Sequence, residues 1–400
     1  MFQPFRFLHA SDLNLHQPCQ STASSPDTQS NYLLAPLAAA EAVFETARLE
    51  RVDFVVLSGN VLQPTMAGAR EFSFLVRQFK QLAEAEIPVY WAGGPQDSHN
   101  QWPDHWQWPD NVHYFSHRRV EEVSHFRDDE PICTLIGLSC QSTPALRPAD
   151  FRHSGTDCAV AVAHGESEPE SFVQPGITYW ALGGRSERST VLKSDNHAHY
   201  AGTHQARCAA EVGPRGCTLV HVSSPTQVRT QFIATDRIRW VEESLALGQA
   251  TMVDDITLLM LDRLQRYQAE SASRMTHVRW QLSSTLIDTS EKRAAIERSC
   301  GENWRESFPK IESTFAWDTE DEIAGDWYDE ESILGDFLRS IQSYSKQQTR
   351  ERLPIEEMLT ESQRLGGLGD ALRIDSNHEQ RELLRQCAQL GSSLLRGKQS

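Results

Sequence analysis

Polar side chains follow short apolar runs at several points in the first 165 residues of this 400-residue chain. Asp12 lies just after the run FRFLHA, Asn60 just after VDFVVL, and Gln96 and Asp97 shortly after IPVYWA. His164 directly follows a fourth run, CAVAVA. Carboxylates, amides and imidazoles can ligate divalent cations, and carboxylates and imidazoles can also exchange protons with a substrate. We therefore treat Asp12, Asn60, Gln96 and His164 as candidates for one polar site.

The elements that must position these residues alternate between strand and helix over the first 100 residues. Apolar periodicity predicts, in chain order, a strand over Phe5–Ala10, a helix over Pro36–Leu49, a strand over Val52–Leu57, a helix over Glu71–Ala85 and a strand over Ile87–Ala92. Pro36 is expected at the start of its helix, where proline is tolerated. This is an α/β pattern, and ligands of such sheets bind outside the carboxyl ends of the strands. The loops that begin at Ser11, Ser58 and Gly93 are therefore expected to converge.

The rest of the chain divides into a strand-rich middle, a small α/β section and an acidic, helical end. The middle predicts strands over Pro131–Leu138, Cys158–Ala163 and Tyr179–Leu182, then a hairpin of Cys217–Val222 with Val228–Ala234. Beyond residue 240 we predict a helix over Val253–Tyr267, a strand over His277–Ser283, a helix over 289–300 and a strand near Thr314. No Lys or Arg occurs between Lys310 and Arg339, and helices are predicted over Ile333–Tyr344, Ile355–Leu365 and Glu379–Leu395. We predict three domains, 1–240, 241–315 and 316–400.

Six segments of the first 240 residues resemble, in order and spacing, the motifs of a known enzyme family. They are FLHASDLNL, VDFVVLSGNVL, IPVYWAGGPQDS, VAVAHGE, TYWALGGRSER and HYAGTHQARCAAEVGPRGCTLVHV. The family is the SbcD-type DNA-repair exonucleases and their YhaO-like relatives, within the calcineurin-like metallophosphoesterases. The resemblance implies an α/β sandwich of two mixed β-sheets flanked by helices, a small α/β capping domain and a helical C-terminal tail. It also implies a two-metal site, in which two divalent cations clamp a phosphodiester and activate the attacking water.

Most of the family's site residues are replaced in this chain. Asp12 and His164 match metal-ligand positions and are retained. The six replacements are Asn14 for a His, Asn60 for the bridging Asp, Pro95 for an Asn ligand, Gln96 for the catalytic His, and Gly184 and Ser186 for two His ligands. The neutral Asn60 leaves two dications without the negative charge between them, so the cations would repel each other. We therefore expect no two-metal site and little or no phosphodiesterase activity.

A rebuilt site is the alternative to a lost one. His16 and His99 lie near the first and third motifs, and His197 and His199 form an H-x-H pair whose alternation along a strand puts both rings on one face. With 15 histidines in the chain, some fall near any loop by chance. We expect no cofactor, and Mn²⁺ if any metal is bound.

Two further clusters allow a structural and a functional interpretation. Trp102, Trp106 and Trp108 lie close to Arg118 and Arg119, and such residues either pack a loop or stack nucleic-acid bases. The second cluster is the pair Arg185 and Arg188. It lies in TYWALGGRSER, the segment that resembles the fifth motif of the family, where an anion could bind. Loop packing is the simpler interpretation of the tryptophans, because prolines flank them and shape the turns.

The bulk composition indicates an ordinary soluble protein. The formal net charge is −17, with 38 basic and 55 acidic residues, which argues against autonomous binding of long nucleic acid. None of the eight cysteines forms a C-x-x-C pair, so we expect reduced, mostly buried thiols. The chain runs at once into a predicted core strand and has no apolar run long enough to span a bilayer, so a cytoplasmic location is expected and no signal peptide.

These observations leave three hypotheses on function. The first is a non-catalytic relative of a DNA-repair exonuclease that acts as scaffold or regulator of an SMC-type coiled-coil ATPase, the partner that the resemblance implies. DNA would then be bound through the complex, and a homodimer is a further expectation from the family. The second is a residual metal-dependent exonuclease or phosphodiesterase with atypical ligands around Asp12, Asn60 and His164. The third is an anion- or ligand-binding module with no role on DNA, which the acidic charge favours.

Overall fold

The structure is a computed structural model that describes residues 2–21, 26–103, 106–140, 146–153, 155, 158–193, 196–245, 253–270, 274–283, 294–298, 304, 307–318, 325–346, 384, 387, 388, 391, 392 and 395. The chain divides into two compact units. The first comprises Met1–Ser244, Met252–Gln281 and Arg293–Ala316, and the second Leu245–Thr251, Leu282–Lys292 and Trp317–Ser400. The three-domain division at residues 240 and 315 stays a prediction.

Fifteen strands and five α-helices have defined bounds in the described residues, besides three short 3-10 helices and a helical stretch over 294–298. In chain order they are β1 (Phe5–Ala10), α1 (Pro26–Leu49), β2 (Phe54–Ser58), α2 (Ala69–Glu84), β3 (Val89–Ala92), β4 (Val112–Tyr114), β5 (Glu121–Arg127), β6 (Glu130–Leu138), β7 (Ala159–His164), β8 (Ile177–Gly183), β9 (Ser189–Lys193), β10 (His197–Tyr200), β11 (Gly216–Ser224), β12 (Gln227–Ala234), β13 (Ile238–Leu245), α3 (Val253–Glu270), β14 (Met275–Ser283), β15 (Ile311–Asp318), α4 (Gly325–Asp329) and α5 (Ile333–Lys346). No helix among the described residues is both long and apolar enough to cross a bilayer.

Two six-stranded mixed sheets form the body of the first unit. One has the order β12-β11-β1-β2-β3-β4, and the other has the order β5-β6-β7-β8-β10-β9. Strands β1 to β4 are parallel neighbours, as are β6, β7, β8 and β10, so their carboxyl ends lie at a shared edge of each sheet. The two central strand sets are buried on both faces, which explains their nearly continuous apolar runs. The predicted sandwich of two mixed sheets is confirmed.

Alternate residues of the central strands fill two different layers. Phe5 and Phe7 of β1 pack between the sheets with Phe54, Val160 and Tyr179, and the rings of Phe7 and Phe54 stack at 4.9 Å. The intervening residues of β1 and β2 face α1 and α2 instead, in a second apolar cluster that contains Leu8, Ala10, Val55, Leu57, Phe44 and Phe79. This period of two along the strands and the helices outside them produce the layered architecture.

The first helix is longer than the sequence predicted. It begins at Pro26, ten residues before Pro36, so the expectation that Pro36 opens the helix was wrong. Proline has no N–H to donate to the carbonyl four residues earlier, which here belongs to Tyr32. That carbonyl instead accepts a hydrogen bond from the backbone N–H of Cys19 at 3.3 Å. A neighbouring loop therefore satisfies the group that the proline leaves unpaired.

A third sheet, β13-β14-β15, follows the two large ones in sequence and belongs mostly to the first unit. Its central strand carries His277, whose Nδ1 lies 2.7 Å from the Tyr32 hydroxyl of α1 and whose Nε2 lies 3.0 Å from Thr314 Oγ1 of β15. Trp240 of β13 stacks on the same imidazole, with ring centroids 6.0 Å apart. The small sheet is thus joined to α1 through a buried polar contact.

The described part of the second unit is a small helical cluster. Leu334 and Leu338 of α5 are buried with Ala388, and Trp327 and Tyr328 of α4 pack against them. The predicted helix over Ile333–Tyr344 corresponds to α5, whereas Ile355–Leu365 and most of Glu379–Leu395 lie outside the described residues. Seven of the eight cysteines are described and no two of these seven form a disulfide, while Cys300 lies outside the described residues.

Candidate functional site

The loops after β1 and β2 run side by side and are joined through their backbones. The N–H of Asp12 donates to the carbonyl of Gly59 at 2.9 Å, and the N–H of Asn14 donates to the carbonyl of Asn60 at 2.8 Å. Asp12, Asn14 and Asn60 all have positive φ angles, 52°, 41° and 54°, a conformation that Asn and Asp tolerate better than most residues. The turns after the two strands are therefore sharp, and they direct the two site residues toward each other.

Three side chains predicted for the site converge. Nδ2 of Asn60 lies 3.0 Å from Oδ1 of Asp12 and 2.9 Å from Nε2 of His164, and Nε2 lies 3.2 Å from that same Oδ1. The second carboxylate oxygen of Asp12 accepts the backbone N–H of Gly184 at 2.8 Å. The Asp12 and His164 side chains are each only 7% exposed. The three side chains therefore lie within 3.2 Å of one another.

The amide of Asn60 has one orientation that satisfies its neighbours. Its Oδ1 accepts the backbone N–H of Gln96 at 3.1 Å. An N–H group can donate only to the oxygen of an amide, so the NH₂ end must face Asp12 and His164. Since the NH₂ group has no lone pair to offer, Nε2 of His164 accepts from it when the ring is neutral, and donates to Asp12 Oδ1 when the ring is protonated.

Asp97 anchors the third loop to the second. Its fully buried carboxylate accepts backbone N–H groups of Asn60 at 2.9 Å, Val61 at 2.7 Å and Gly94 at 2.6 Å. Burial raises the pKa of Asp97 to about 6, although the three hydrogen bonds favour its ionised form and act in the opposite direction. The carbonyl of Asp97 accepts from the indole of Trp102 at 3.0 Å. This residue was noted in the sequence only as a neighbour of Gln96, and its bridging role depends on loop geometry.

The imidazole of His164 is enclosed by glycines. A Cβ atom on Gly59 would lie 2.6 Å from its Cδ2, one on Gly94 3.0 Å and one on Gly183 3.1 Å, and a Cβ on Gly184 would lie 3.3 Å from its Cε1. Burial lowers the pKa of His164, but the hydrogen bond and charge of Asp12 outweigh it, so the net direction is upward. The backbones of the neighbouring loops therefore pack directly onto this ring.

The other positions that bind metal in the family supply few atoms that could ligate a cation. Pro95 and Gly184 have no side-chain atom that could ligate a metal. The side-chain nitrogen of Asn14 donates to the backbone carbonyl of Asp12 at 3.2 Å. The side-chain oxygens of Asn14 and Gln96 are buried without a hydrogen-bond partner. In the part of the chain that the structure describes, no group of three or more His, Cys, Asp or Glu side chains could hold a metal ion. These residues do not fit a two-metal centre, because a donor NH₂ group lies between the two retained ligands.

The histidines considered for a rebuilt site have other partners. His16 Nδ1 accepts the N–H of Gln63 at 3.2 Å, and His99 Nε2 lies 2.8 Å from the carbonyl of Phe115. His199 is buried, with its ring nitrogens 2.9 Å from Thr190 Oγ1 and 3.0 Å from Thr218 Oγ1. Burial lowers the pKa of His199 to about 2 and that of His197 to about 4, so both are neutral at physiological pH. Their environment is that of packed interior histidines.

The tryptophan cluster and the pair Arg185 and Arg188 both make structural contacts. Trp102 and Trp108 pack edge-to-face at 4.9 Å against each other, and Trp106 lies 5.0 Å from the ring of Phe72 on α2. Arg185 pairs with Glu166 at 3.0 Å and covers the ring of Tyr200 at 4.3 Å, and Arg188 covers the ring of Phe232 at 5.1 Å. Loop packing is therefore the better interpretation of the tryptophans, and each arginine has an aromatic partner.

Arg207 is a site-supporting residue that sequence reasoning missed. Its buried guanidinium donates to the carbonyls of Leu13, of Asn14 at 3.2 Å and of Gln205 at 3.1 Å. These carbonyls lie in the loop that carries Asp12 and in the segment that precedes β11. The signal was present in the last of the six motifs, in which Arg207 follows Gln205 and Ala206.

The two-sheet sandwich, with polar loops gathered at the carboxyl ends of its parallel strands, has the architecture of a metallophosphoesterase. The chain is 26% identical over 291 residues to an uncharacterized metallophosphoesterase, YhaO, of Bacillus subtilis strain 168, an alignment that covers 68% of this chain and 70% of that protein. This similarity in sequence, together with the two-sheet fold, supports a relationship to the calcineurin-like metallophosphoesterases. A dimetal phosphatase from Danio rerio is similar to 57% of the chain over 98% of its own length, with 9% identity and a TM-score of 0.35. No protein-family model matches the chain.

Proposed function

We propose that this chain is a non-catalytic metallophosphoesterase relative that acts as scaffold or regulator of an SMC-type coiled-coil ATPase in DNA repair. One observation carries the non-catalytic part. The Asn60 amide contacts both Asp12 and His164, and Asp12 also accepts the Gly184 N–H. Metal-assisted phosphodiester hydrolysis needs open ligands that hold cations against the substrate and lower the pKa of the attacking water. Here the Asn60 amide and the Gly184 N–H already occupy the retained ligands, and Gln96 supplies no imidazole for the leaving group.

The partner and the DNA-repair setting rest on the resemblance of the six motifs. The composition is consistent with them, since a net charge of −17 favours DNA contact through a complex over independent binding. The helix α5 presents a further feature suited to a partner, because Ile333 at its start is 77% exposed beside the buried Leu334 and Leu338. A protein of this kind would contribute its fold and its loop surface to the assembly, without cleaving DNA.

A residual metal-dependent exonuclease is the second candidate, and one observation favours it. Asp12 and His164 remain within 3.2 Å of each other, as two ligands of one cation can be. Metal-stimulated cleavage of DNA ends that Asp12→Ala and His164→Ala both abolish would establish this candidate and reject the non-catalytic one.

Titration of Mn²⁺ into the purified full chain by calorimetry tests the non-catalytic part. Elemental analysis of the protein as isolated and an Asp12→Ala variant accompany it. We expect no specific binding and no metal-stimulated cleavage of linear duplex DNA. Binding of about two ions per chain, lost in the Asp12→Ala variant, would overturn the proposal.

Affinity purification of the tagged full chain from native extract, followed by mass spectrometry, tests the partner. We expect a large ATPase with long coiled-coil segments to be recovered in near-stoichiometric amount, and the ATPase rate of the recovered complex to differ from that of the ATPase alone. Recovery of no coiled-coil ATPase, with the chain itself intact and folded, would reject the partner assignment while leaving the non-catalytic assignment to the calorimetry.

A further inference from the structure

Every polar atom of Asn60 is bonded, and its five partner residues come from three other loops of the chain. Its N–H donates to Asp97 at 2.9 Å, and its carbonyl accepts from Asn14 at 2.8 Å. Its side-chain oxygen accepts from Gln96 at 3.1 Å, and its side-chain nitrogen lies 3.0 Å from Asp12 and 2.9 Å from His164. Asn60 is therefore the common junction of the loops that follow β1, β2, β3 and β7.

The NH₂ group of this junction lies where positive charge is most favourable. It faces the carboxylate of Asp12 and, in the neutral ring, the Nε2 lone pair of His164, and both side chains are nearly excluded from water. A carboxylate in such a place is destabilised unless donors or cations compensate its charge. The two N–H bonds of one amide direct partial positive charge at both acceptors and need no bound ion.

We infer that the Asn60 amide is an internal substitute for a bridging cation, so that this loop cluster is assembled without metal, and that Asn60→Asp alone would make its assembly depend on a divalent cation. The inference rests on the non-catalytic part of the proposed function. It goes beyond it, because it assigns to one side chain the electrostatic role that holds the loops together.

The position of the Asn60 side chain explains why the Asn60→Asp variant would depend on a cation. Aspartate has the shape of asparagine, so in the Asn60→Asp variant one oxygen of the new carboxylate would keep the Gln96 N–H. The other oxygen would lie about 3.0 Å from Asp12 Oδ1, where the amide nitrogen now lies. Two ionised carboxylates at that separation repel each other strongly. A cation placed among the new carboxylate, Asp12 and His164 has two anionic oxygens and an imidazole to bind, a donor set that suits Mn²⁺.

Thermal unfolding of the full chain at pH 8 tests this, in EDTA and again with excess MnCl₂. The variants are Asn60→Asp, the swap Asp12→Asn/Asn60→Asp, which restores one carboxylate and one amide, and Asn31→Asp as control. Asn31 is exposed on α1, so the control adds the same charge away from the site. In EDTA we expect Asn60→Asp to lower the Tm by about 5–10 °C, and the swap and the control to remain near the wild type.

With Mn²⁺ we expect the Tm of Asn60→Asp to rise by at least half of that loss, and the wild type, swap and control to be unchanged. A Tm for Asn60→Asp in EDTA equal to that of the control would overturn the inference, as would a swap variant no more stable than the single one. Should Asn60→Asp fail to fold, a folded swap variant would still support the inference and an unfolded one would reject it. Stabilisation of the wild type by Mn²⁺ would reject the non-catalytic proposal as well, so the two failures are distinguishable.

Discussion

The buried carboxylate of Asp97 accepts a hydrogen bond from the backbone N–H of Asn60 at 2.9 Å, and this bond ties the loop after β3 to the loop after β2. The same carboxylate accepts the N–H groups of Val61 and Gly94. Gly59 (82°) and Asn60 (54°) both have positive φ angles. This sharp turn after β2 points the N–H groups of Asn60 and Val61 toward the buried carboxylate. The loop arrangement thus depends on an acceptor buried beneath it, in addition to the residues at its surface.

Replacement of Asp97 should therefore be costly. Asp97→Ala leaves three buried N–H groups without an acceptor, and we expect a loss of about 3 kcal/mol or more in the free energy of unfolding. Asp97→Asn keeps one acceptor oxygen and should lose less. Urea unfolding measures both, with Asp110→Ala, an exposed carboxylate, as control. Equal stability of Asp97→Ala and the control would contradict the role assigned to this residue.

The sequence predicted the strands that carry the site well, and particular residues explain why. β1 was predicted at its observed bounds, Phe5–Ala10, because an apolar run between polar residues marks a buried strand from both ends. α1 was predicted ten residues short, because a proline is normally a helix start. The bond from Cys19 that makes Pro36 tolerable inside the helix comes from another loop, and no local pattern in the sequence reveals it.

For the site, the sequence predicted which residues are present but not how their side chains are oriented. The motifs identified Asp12 and His164 as retained and Asn60 as altered, and these three residues do converge. The direction of the Asn60 amide could not be predicted, because it is set by a backbone N–H, that of Gln96, whose position depends on the fold. Asp97 and Arg207 escaped notice for the same reason, since both act on backbone groups.

Restoring a family histidine at position 184 should not restore activity. Gly184 has φ +108°, a conformation that L-residues rarely adopt, and a Cβ there would lie 3.3 Å from Cε1 of His164. We expect Gly184→His to lose about 1–3 kcal/mol of stability and to hydrolyse no bis(p-nitrophenyl) phosphate with Mn²⁺. Ser186→His, at an exposed neighbouring position, is the matched control and should be nearly neutral. A Gly184→His variant as stable as this control, or active on the ester, would show that the loop can adapt to the side chain.

The stability of the protein should depend on both the charge and the shape of the Arg207 side chain. Its guanidinium donates to carbonyls of Leu13, Asn14 and Gln205 from one buried position, which a single ammonium group cannot reproduce. We expect Arg207→Met to lose about 3 kcal/mol and Arg207→Lys to recover only part of it. Urea unfolding of both, beside Arg229→Met on the exposed edge strand β12, gives the measurement. Full stability in Arg207→Lys would mean that charge alone is required.

His277 should make the protein less stable in mild acid. Burial lowers its pKa from 6.5 to about 4, so between these values the unfolded chain binds a proton that the folded chain does not. Its contribution to stability is therefore complete above pH 6.5 and is lost as the pH falls, by about 1.4 kcal/mol per pH unit. His277→Gln can still bond Tyr32 and Thr314 but cannot titrate. Urea unfolding at pH 7.0 and 5.5, followed by far-UV circular dichroism, should give a loss about 1 kcal/mol smaller in the variant than in the wild type. An equal loss in both proteins would mean that His277 is protonated in the folded state and that its bonds to Tyr32 and Thr314 adapt to the charge.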